Sequence, residues 1–269
     1  MKNEQVRLIP RELREADFPS ARFLSEEEQT KYEEACKRSN FLEKAKEVLN
    51  IRRKGSNLFK VLFLNQIGIK TASLGELESA LENGLCLQGQ YEDASAVVLR
   101  SAGDSYSDND YIARSLADSL GVQKITSPLV VIGLEIVADD KSKYGLNLKR
   151  TEKTQVVDAP SLGHENHQRK FLRINPDYSI DFNDNGNRTL WTRDNGISRL
   201  YLGRDLDLYS RYEYLADSND VGRVVIVSSG EAGAKNFEQY VSQLNAERQR
   251  QIADVELRYT NAMNVLKGE

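Results

Sequence analysis

His164 and His167 are the chain's only histidines, and they flank Glu165 in LGHENHQ. Imidazole and carboxylate so close together suit zinc, and a zinc-activated water would make such a centre a hydrolase. The i, i+3 spacing converges only on a helix, whereas Pro160 and Gly163 mark a loop, and no cysteine lies nearby. The expectation is a hydrogen-bonded loop with no metal and no other cofactor. A metal-dependent hydrolase centred on His164, Glu165 and His167 is the alternative.

Other groupings that could do chemistry read more plainly. Asp181, Asn183, Asn185 and Gly186 copy the first half of a calcium loop, but its twelfth position is Thr192, which has no bidentate carboxylate. Asn185-Gly186 between YSIDF and RTLWT reads as a hairpin turn instead. Ile67 to Ala72 carries one of the two glycines of a helix-hairpin-helix phosphate turn and reads as a turn between helices. No Gly-x-Ser-x-Gly elbow marks a nucleophile. The chain is therefore expected not to be an enzyme.

Residues 188–229 carry the stronger pattern. Leu200, Leu202, Leu206 and Leu208 alternate with Arg199, Tyr201, Asp205, Asp207 and Tyr209, so one set faces a core and the other is left free. Four of the twelve tyrosines, Tyr201, Tyr209, Tyr212 and Tyr214, interleave with Arg204, Arg211, Asp205 and Asp207. Aromatic rings bury much area at small entropic cost, and Ser, Asp and Arg add adaptable polar contacts, as in a paratope. Between Lys170 and Lys235 there is no Lys, Gln or Met.

These residues need elements to hold them. Ser25 with Glu28 is a capping box opening a helix to about Asn50, with a break near Ser39-Asn40. Leu58 to Ile67 is too apolar for a surface element, and Ser73 with Glu76 opens a short helix ending at Asn83-Gly84. Val97 to Leu99 reads as a buried strand, and Asp108 or Asn109 can cap a helix that Gly121 ends. From Ser127, LVVIGLEIV, YGLNLK, TQVVDA, KFLRI, YSIDF, RTLWT, SRLYL, LDLYSRY and GRVVIVS are short apolar or alternating runs, expected to form an antiparallel region. After Gly230 the composition returns to helix, with Phe237, Val241, Leu244 and Ile252 able to share a face. The fold class is α+β: residues 1–126 mainly helical, 127–230 β-rich, 231–269 a helical tail.

Composition bounds the function. The 269 residues are 39% hydrophobic and 29% charged, as in a globular protein, and two cysteines leave one bridge or two free thiols open. A net charge of -4 offers no global field for phosphate backbones, so nucleic acid is not an expected partner. The longest apolar stretch, Pro128 to Val137, is interrupted by Gly133 and Glu135, which argues against membrane insertion. The opening MKNEQVRLIPRELREADFPS shows no signal-peptide core or lipid anchor, so a cytoplasmic location is expected.

NGISRLYL followed by LDLYS and ADSNDVGRVVIVS, with Tyr, Asp and Arg between, resembles the variable region of diversity-generating retroelement variable proteins, and the helical start is similar to their archaeal branch. The resemblance covers about Ser127 to Ser229, with its specific part in about 188–229. In that family a reverse transcriptase copies a template and randomises its adenines, so Asn codons come to specify many residues. Codons ending in a pyrimidine cannot specify Lys, Gln, Glu, Met or Trp. The missing Lys and Gln agree with this, and the resemblance implies that Glu213 and Trp191 would not be products of such codons. The resemblance implies a C-type-lectin-like fold, related to that of formylglycine-generating enzymes, in which Leu and Val hold a frame. Tyr201, Arg204, Asp205, Asp207, Tyr209, Arg211, Tyr212 and Tyr214 would form the ligand-binding surface, for a macromolecular target and foremost a protein. The sugar motifs Glu-Pro-Asn and Trp-Asn-Asp are absent, and the tail after Gly230 departs from variable regions that end the chain.

Overall fold

The computed structural model describes residues 20–50, 55–103 and 109–228; the helical tail expected after Gly230 and the cap expected at Asp108 lie outside them. The elements in chain order are β1 (Ser20–Phe23), α1 (Glu26–Arg38), α2 (Glu43–Leu49), α3 (Leu58–Gln66), α4 (Leu74–Glu82), β2 (Tyr91–Leu99) and α5 (Asp110–Leu120). There follow β3 (Leu129–Ile132), β4 (Glu135–Ala138), β5 (Leu146–Lys149), β6 (Gln155–Asp158), β7 (Lys170–Ile174) and β8 (Ile180–Phe182). The last are β9 (Arg188–Thr192), β10 (Ile197–Leu202), β11 (Leu208–Ser210), β12 (Gly222–Arg223) and β13 (Val225–Ser228). The architecture is α+β, with helices first and then a large mixed sheet.

The helices begin where side chains satisfy the first free amides. Ser25 caps α1 and Ser73 caps α4, each in a reciprocal capping box with Glu28 or Glu76. The break expected near Ser39 is the C-cap of α1, whose extended backbone leads to α2. α3 is buried on every side, as its apolar run requires. Gly121, at φ 70°, ends α5 in the left-handed conformation that favours glycine. Asn109 stands at the N-cap of α5 but makes no cap hydrogen bond; its amide joins the Glu213 carbonyl and the Tyr144 hydroxyl instead.

One prediction arises at the α1 cap. The Glu28 carboxyl is drawn down to about 2 by Arg22, both of whose terminal nitrogens donate to it at 2.8 Å, against the opposing effect of burial, with Ser25 helping. An acid depressed in the folded state stabilises fully above its unfolded value, and that contribution fades as pH falls from about 4.5 toward about 2. Glu28→Gln should therefore flatten the acid limb of a stability-versus-pH curve measured by urea unfolding, while leaving its alkaline limb unchanged. An unchanged acid limb would mean that the carboxylate does not cap the helix.

Nine strands make the main sheet, in the order β6-β3-β2-β10-β11-β9-β7-β8, with β12 added beside β2. The expected antiparallel region is mixed: β11 lies parallel to β9, and β12 parallel to β2. β11 returns in a hairpin from β10 and inserts between it and β9, so two strands separated by one hairpin run the same way. Alternation fixes which face a residue takes, but not its neighbouring strand. LVVIGLEIV divides at Gly133, φ 69°, into β3 of the main sheet and β4, which pairs with β5 in a separate hairpin.

The hairpin expected at Asn185-Gly186 does not form. β8 and β9 both pair with β7, on its opposite sides, and the turn carries the chain from one side to the other. Gly186 lies against the Phe171 backbone, where a Cβ would come within 2.4 Å of the carbonyl oxygen. The glycine serves this close approach rather than a hairpin turn.

β2, which precedes the boundary expected at 126/127, pairs with β3, β10 and β12, and residues 21–227 cluster as one unit. Two apolar layers flank the sheet. On one face α3 lies against β2 and α5 against β10 in a core that holds Val97, Leu99 and Ile197, which α2 joins through α3 and α1 through α2; on the other, α4 shares a core with Val98, Leu190, Leu200, Leu202 and Leu208. Both cysteines are free thiols. Among the described residues no helix is long and apolar enough to cross a membrane.

Candidate binding surface

Register places the aromatic side chains. Tyr201 of β10 lies opposite Tyr209 of β11, which lies opposite Trp191 of β9, and Tyr201 also faces Asp93 of β2. Neighbouring positions Leu190, Leu202 and Leu208 point the other way and are fully buried. Arg199 pairs with Val97, a residue of the core shared with α3 and α5, so Arg199, Tyr201, Tyr209 and Trp191 occupy the face opposite α4. A register shift between Arg199 and Tyr201 accompanies this arrangement.

Together the rings form a row. The Tyr201 and Tyr209 centroids are 5.0 Å apart with planes 7° from parallel, and Tyr209 and Trp191 are 6.1 Å apart at 14°. Tyr91 of β2 meets Tyr201 edge to face at 5.9 Å, and Tyr212 tilts against both Tyr201 and Tyr209 at 5.9 Å. At the other end His167 meets Trp191 at 5.7 Å and stacks on His164 at 5.5 Å. Rings that turn their faces to one another at cross-strand spacing leave mainly edges to solvent. Arg211 covers part of the row, 4.6 Å over Trp191 and 5.2 Å over Tyr212.

Beside this row lies a cleft of about 270 Å³, lined by Tyr91, Arg199, Tyr201, Tyr209 and Tyr212 together with the β10–β11 loop and residues Asp217 and Asn219. Gly203 opens that loop and leaves room for the Tyr209 ring, 2.4 Å from where a Cβ would stand. Burial raises the phenols of Tyr201 and Tyr209, the latter helped by Asp205, so both remain hydrogen-bond donors at neutral pH. Burial pulls the Arg199 guanidinium down, but Asp93, accepting from Nε at 2.8 Å and Nη2 at 2.7 Å, more than offsets this and holds it as a cation.

The structure brings five of the eight expected residues to the cleft: Tyr201, Arg204, Asp205, Tyr209 and Tyr212. Arg211 adjoins it through the ring row, while Tyr214, 52% exposed, is not part of its lining. Asp207 is a correction, since it is only 6% exposed. Its carboxylate accepts from the Thr189 amide at 2.5 Å and from the Trp191 indole at 2.8 Å, so it fixes the Trp191 ring rather than facing solvent. Arg199, placed by alternation on the free face, is likewise buried in its ion pair with Asp93. Leu206 is only partly buried, at φ 66° in the tip of the loop.

The opposite side of these strands is tied by Arg100. Its guanidinium donates to the hydroxyls of Ser198, Thr192 and Ser210 on β10, β9 and β11, and to the Leu162 carbonyl. Burial, then the nearby Arg193, lowers this group to about 9. One side chain thereby joins the three strands that carry the rings.

His164 and His167 come together through short 3-10 turns at Pro160–Leu162 and His164–Asn166. His167 Nδ1 accepts from the Thr192 amide at 3.2 Å, a supporting bond to β9. Among the described residues no group of three His, Cys, Asp or Glu stands in an arrangement that could hold a metal ion. The ligand-binding set expected from the sequence left out Tyr91, Arg199, Asp217 and Asn219 of the cleft lining. Alternation with Leu200 marked Arg199 as sharing the tyrosine face, whereas Tyr91 lies 110 positions before Tyr201 with nothing in the sequence to link them.

Comparison of the chain with family profiles, with curated proteins and with solved structures yields no match.

Proposed function

We propose that the protein is a non-enzymatic target-binding protein whose surface around the Tyr201–Tyr209–Tyr212 cleft is diversified by a retroelement of the archaeal type, on a C-type-lectin-like scaffold. The observation that carries the reading is the separation of roles between adjacent residues. Leu190, Leu202 and Leu208 are buried on one side of three strands, and the aromatic row with its cleft lies on the other. A frame built this way tolerates changes at the cleft without repacking the core.

Several further features support it. Trp191 and Glu213, which the codon argument sets apart from variable positions, are both engaged by neighbours: Trp191 by Asp207, and Glu213 by Arg193. Ring edges carry the positive side of the aromatic quadrupole, and protonated phenols and arginines add donors, a combination suited to the carbonyls and polar side chains of a protein target.

The coding locus tests the proposal. A near-copy of the DNA for 188–229 that differs at adenines, beside a reverse transcriptase gene, is the expected finding.

A further inference from the structure

The cleft holds one buried cation whose hydrogen bonding is incomplete. Arg199 is 2% exposed, and its Nε and Nη2 are used by Asp93. Among the described residues its third nitrogen, Nη1, has only the Asp217 carboxylate as an ion-pair partner, at 3.6 Å, beyond hydrogen-bond reach. Asp217 is 61% exposed on the cleft wall, so Nη1 is directed toward the open side. The guanidinium plane is held between rings, 4.7 Å from the Tyr201 centroid and 5.8 Å from that of Tyr91. Its geometry is thus fixed before any ligand arrives.

We propose that this cleft is a carboxylate-anchoring site, in which an acidic group of the target displaces Asp217 and accepts from Arg199 Nη1. The proposal rests on the reading of the cleft as the target-binding surface and names the chemistry it recognises. Asp93 already neutralises one unit of charge without covering Nη1, so an incoming carboxylate gains a charge-assisted hydrogen bond in a partly desolvated place. Arg204 adds a second positive charge to the lining, which the neighbouring Asp205 carboxylate offsets, so the attraction for an incoming carboxylate is local to Arg199 Nη1; the Tyr201 and Tyr212 phenols lie within the same lining. Asp217 acts as an internal competitor for the same nitrogen. Ring faces that already carry Arg199 and Arg211 have little left to offer a cationic ligand.

Acetate is the probe, titrated at constant ionic strength against chloride so that screening does not change. Side-chain nitrogen-15 NMR of the arginines reports binding. The Arg199 signals should shift saturably with acetate and not with tetramethylammonium. Asp217→Asn, which leaves the Arg199–Asp93 pair intact, should tighten acetate binding about two- to fivefold, the range an exposed ion pair supports. Arg199→Lys, checked for folding by circular dichroism, should abolish saturation. N-acetyl-aspartate amide and N-acetyl-alanine then distinguish a side-chain carboxylate from a chain terminus, and saturable binding of either supports the anchor. No saturable acetate shift, an unchanged affinity in Asp217→Asn, or binding of tetramethylammonium in place of acetate would each overturn it. These titrations need no target and no diversification, so their failure leaves the reading of the locus standing, and failure at the locus leaves the acetate result standing.

Discussion

Asp93→Ala is expected to lower the unfolding free energy by about 3 to 5 kcal/mol, because it leaves a buried guanidinium without its counter-charge. Asp93 is fully buried, accepts two bonds from Arg199 and a third from the Ser56 hydroxyl at 3.1 Å, and lies opposite Tyr201 in the sheet. The Asp217 carboxylate is 3.6 Å from Arg199 and largely solvated, so it compensates only in part. The combined change Asp93→Leu with Arg199→Met should recover most of the loss, since apolar groups of similar volume often replace a buried ion pair without net cost. Urea unfolding of the two variants measures the difference. A single variant within about 1 kcal/mol of the parent would show that the pair is effectively solvated.

The second large effect separates frame from surface. Leu202→Ala should cost about 2 to 5 kcal/mol, because the side chain is fully buried in the layer shared with α4 and leaves a cavity there. Tyr212→Ser, at a residue 38% exposed, should cost about 1 kcal/mol or less. Thermal and urea unfolding of both variants give the ranking. The reverse order would mean that the side of the sheet read as free is the one that holds the fold together.

The parts of this fold legible in the sequence are those determined by neighbours along the chain. Ser25 with Glu28 and Ser73 with Glu76 specify helix starts within four residues, and Gly121 specifies an end. Alternation correctly put Leu200, Leu202 and Leu208 inside and brought Tyr201 and Tyr209 to one side. What was not legible depends on partners distant in the chain. Asn185-Gly186 has the composition of a hairpin turn, but its conformation is set by how the chain passes Phe171. Asp207 reads as a surface carboxylate until the Thr189 amide and the Trp191 indole are seen to converge on it. Tyr91 enters the cleft, and Arg199 finds its buried partner Asp93, only because β2 pairs with β10, a contact that no local spacing encodes.

Diversification of the cleft is tested by long-read sequencing of the coding locus, together with resequencing of codons 188–229 in many clones of the source population. The expected result is a template near-copy that differs at adenines, a reverse transcriptase gene beside it, and clonal substitutions falling on cleft codons such as those of Tyr201, Tyr209 and Tyr212. The codons of Leu190, Leu202, Leu208, Trp191 and Asp207 should stay fixed. A locus with neither template nor reverse transcriptase, or substitutions spread evenly over frame and cleft codons, would contradict diversification of the cleft.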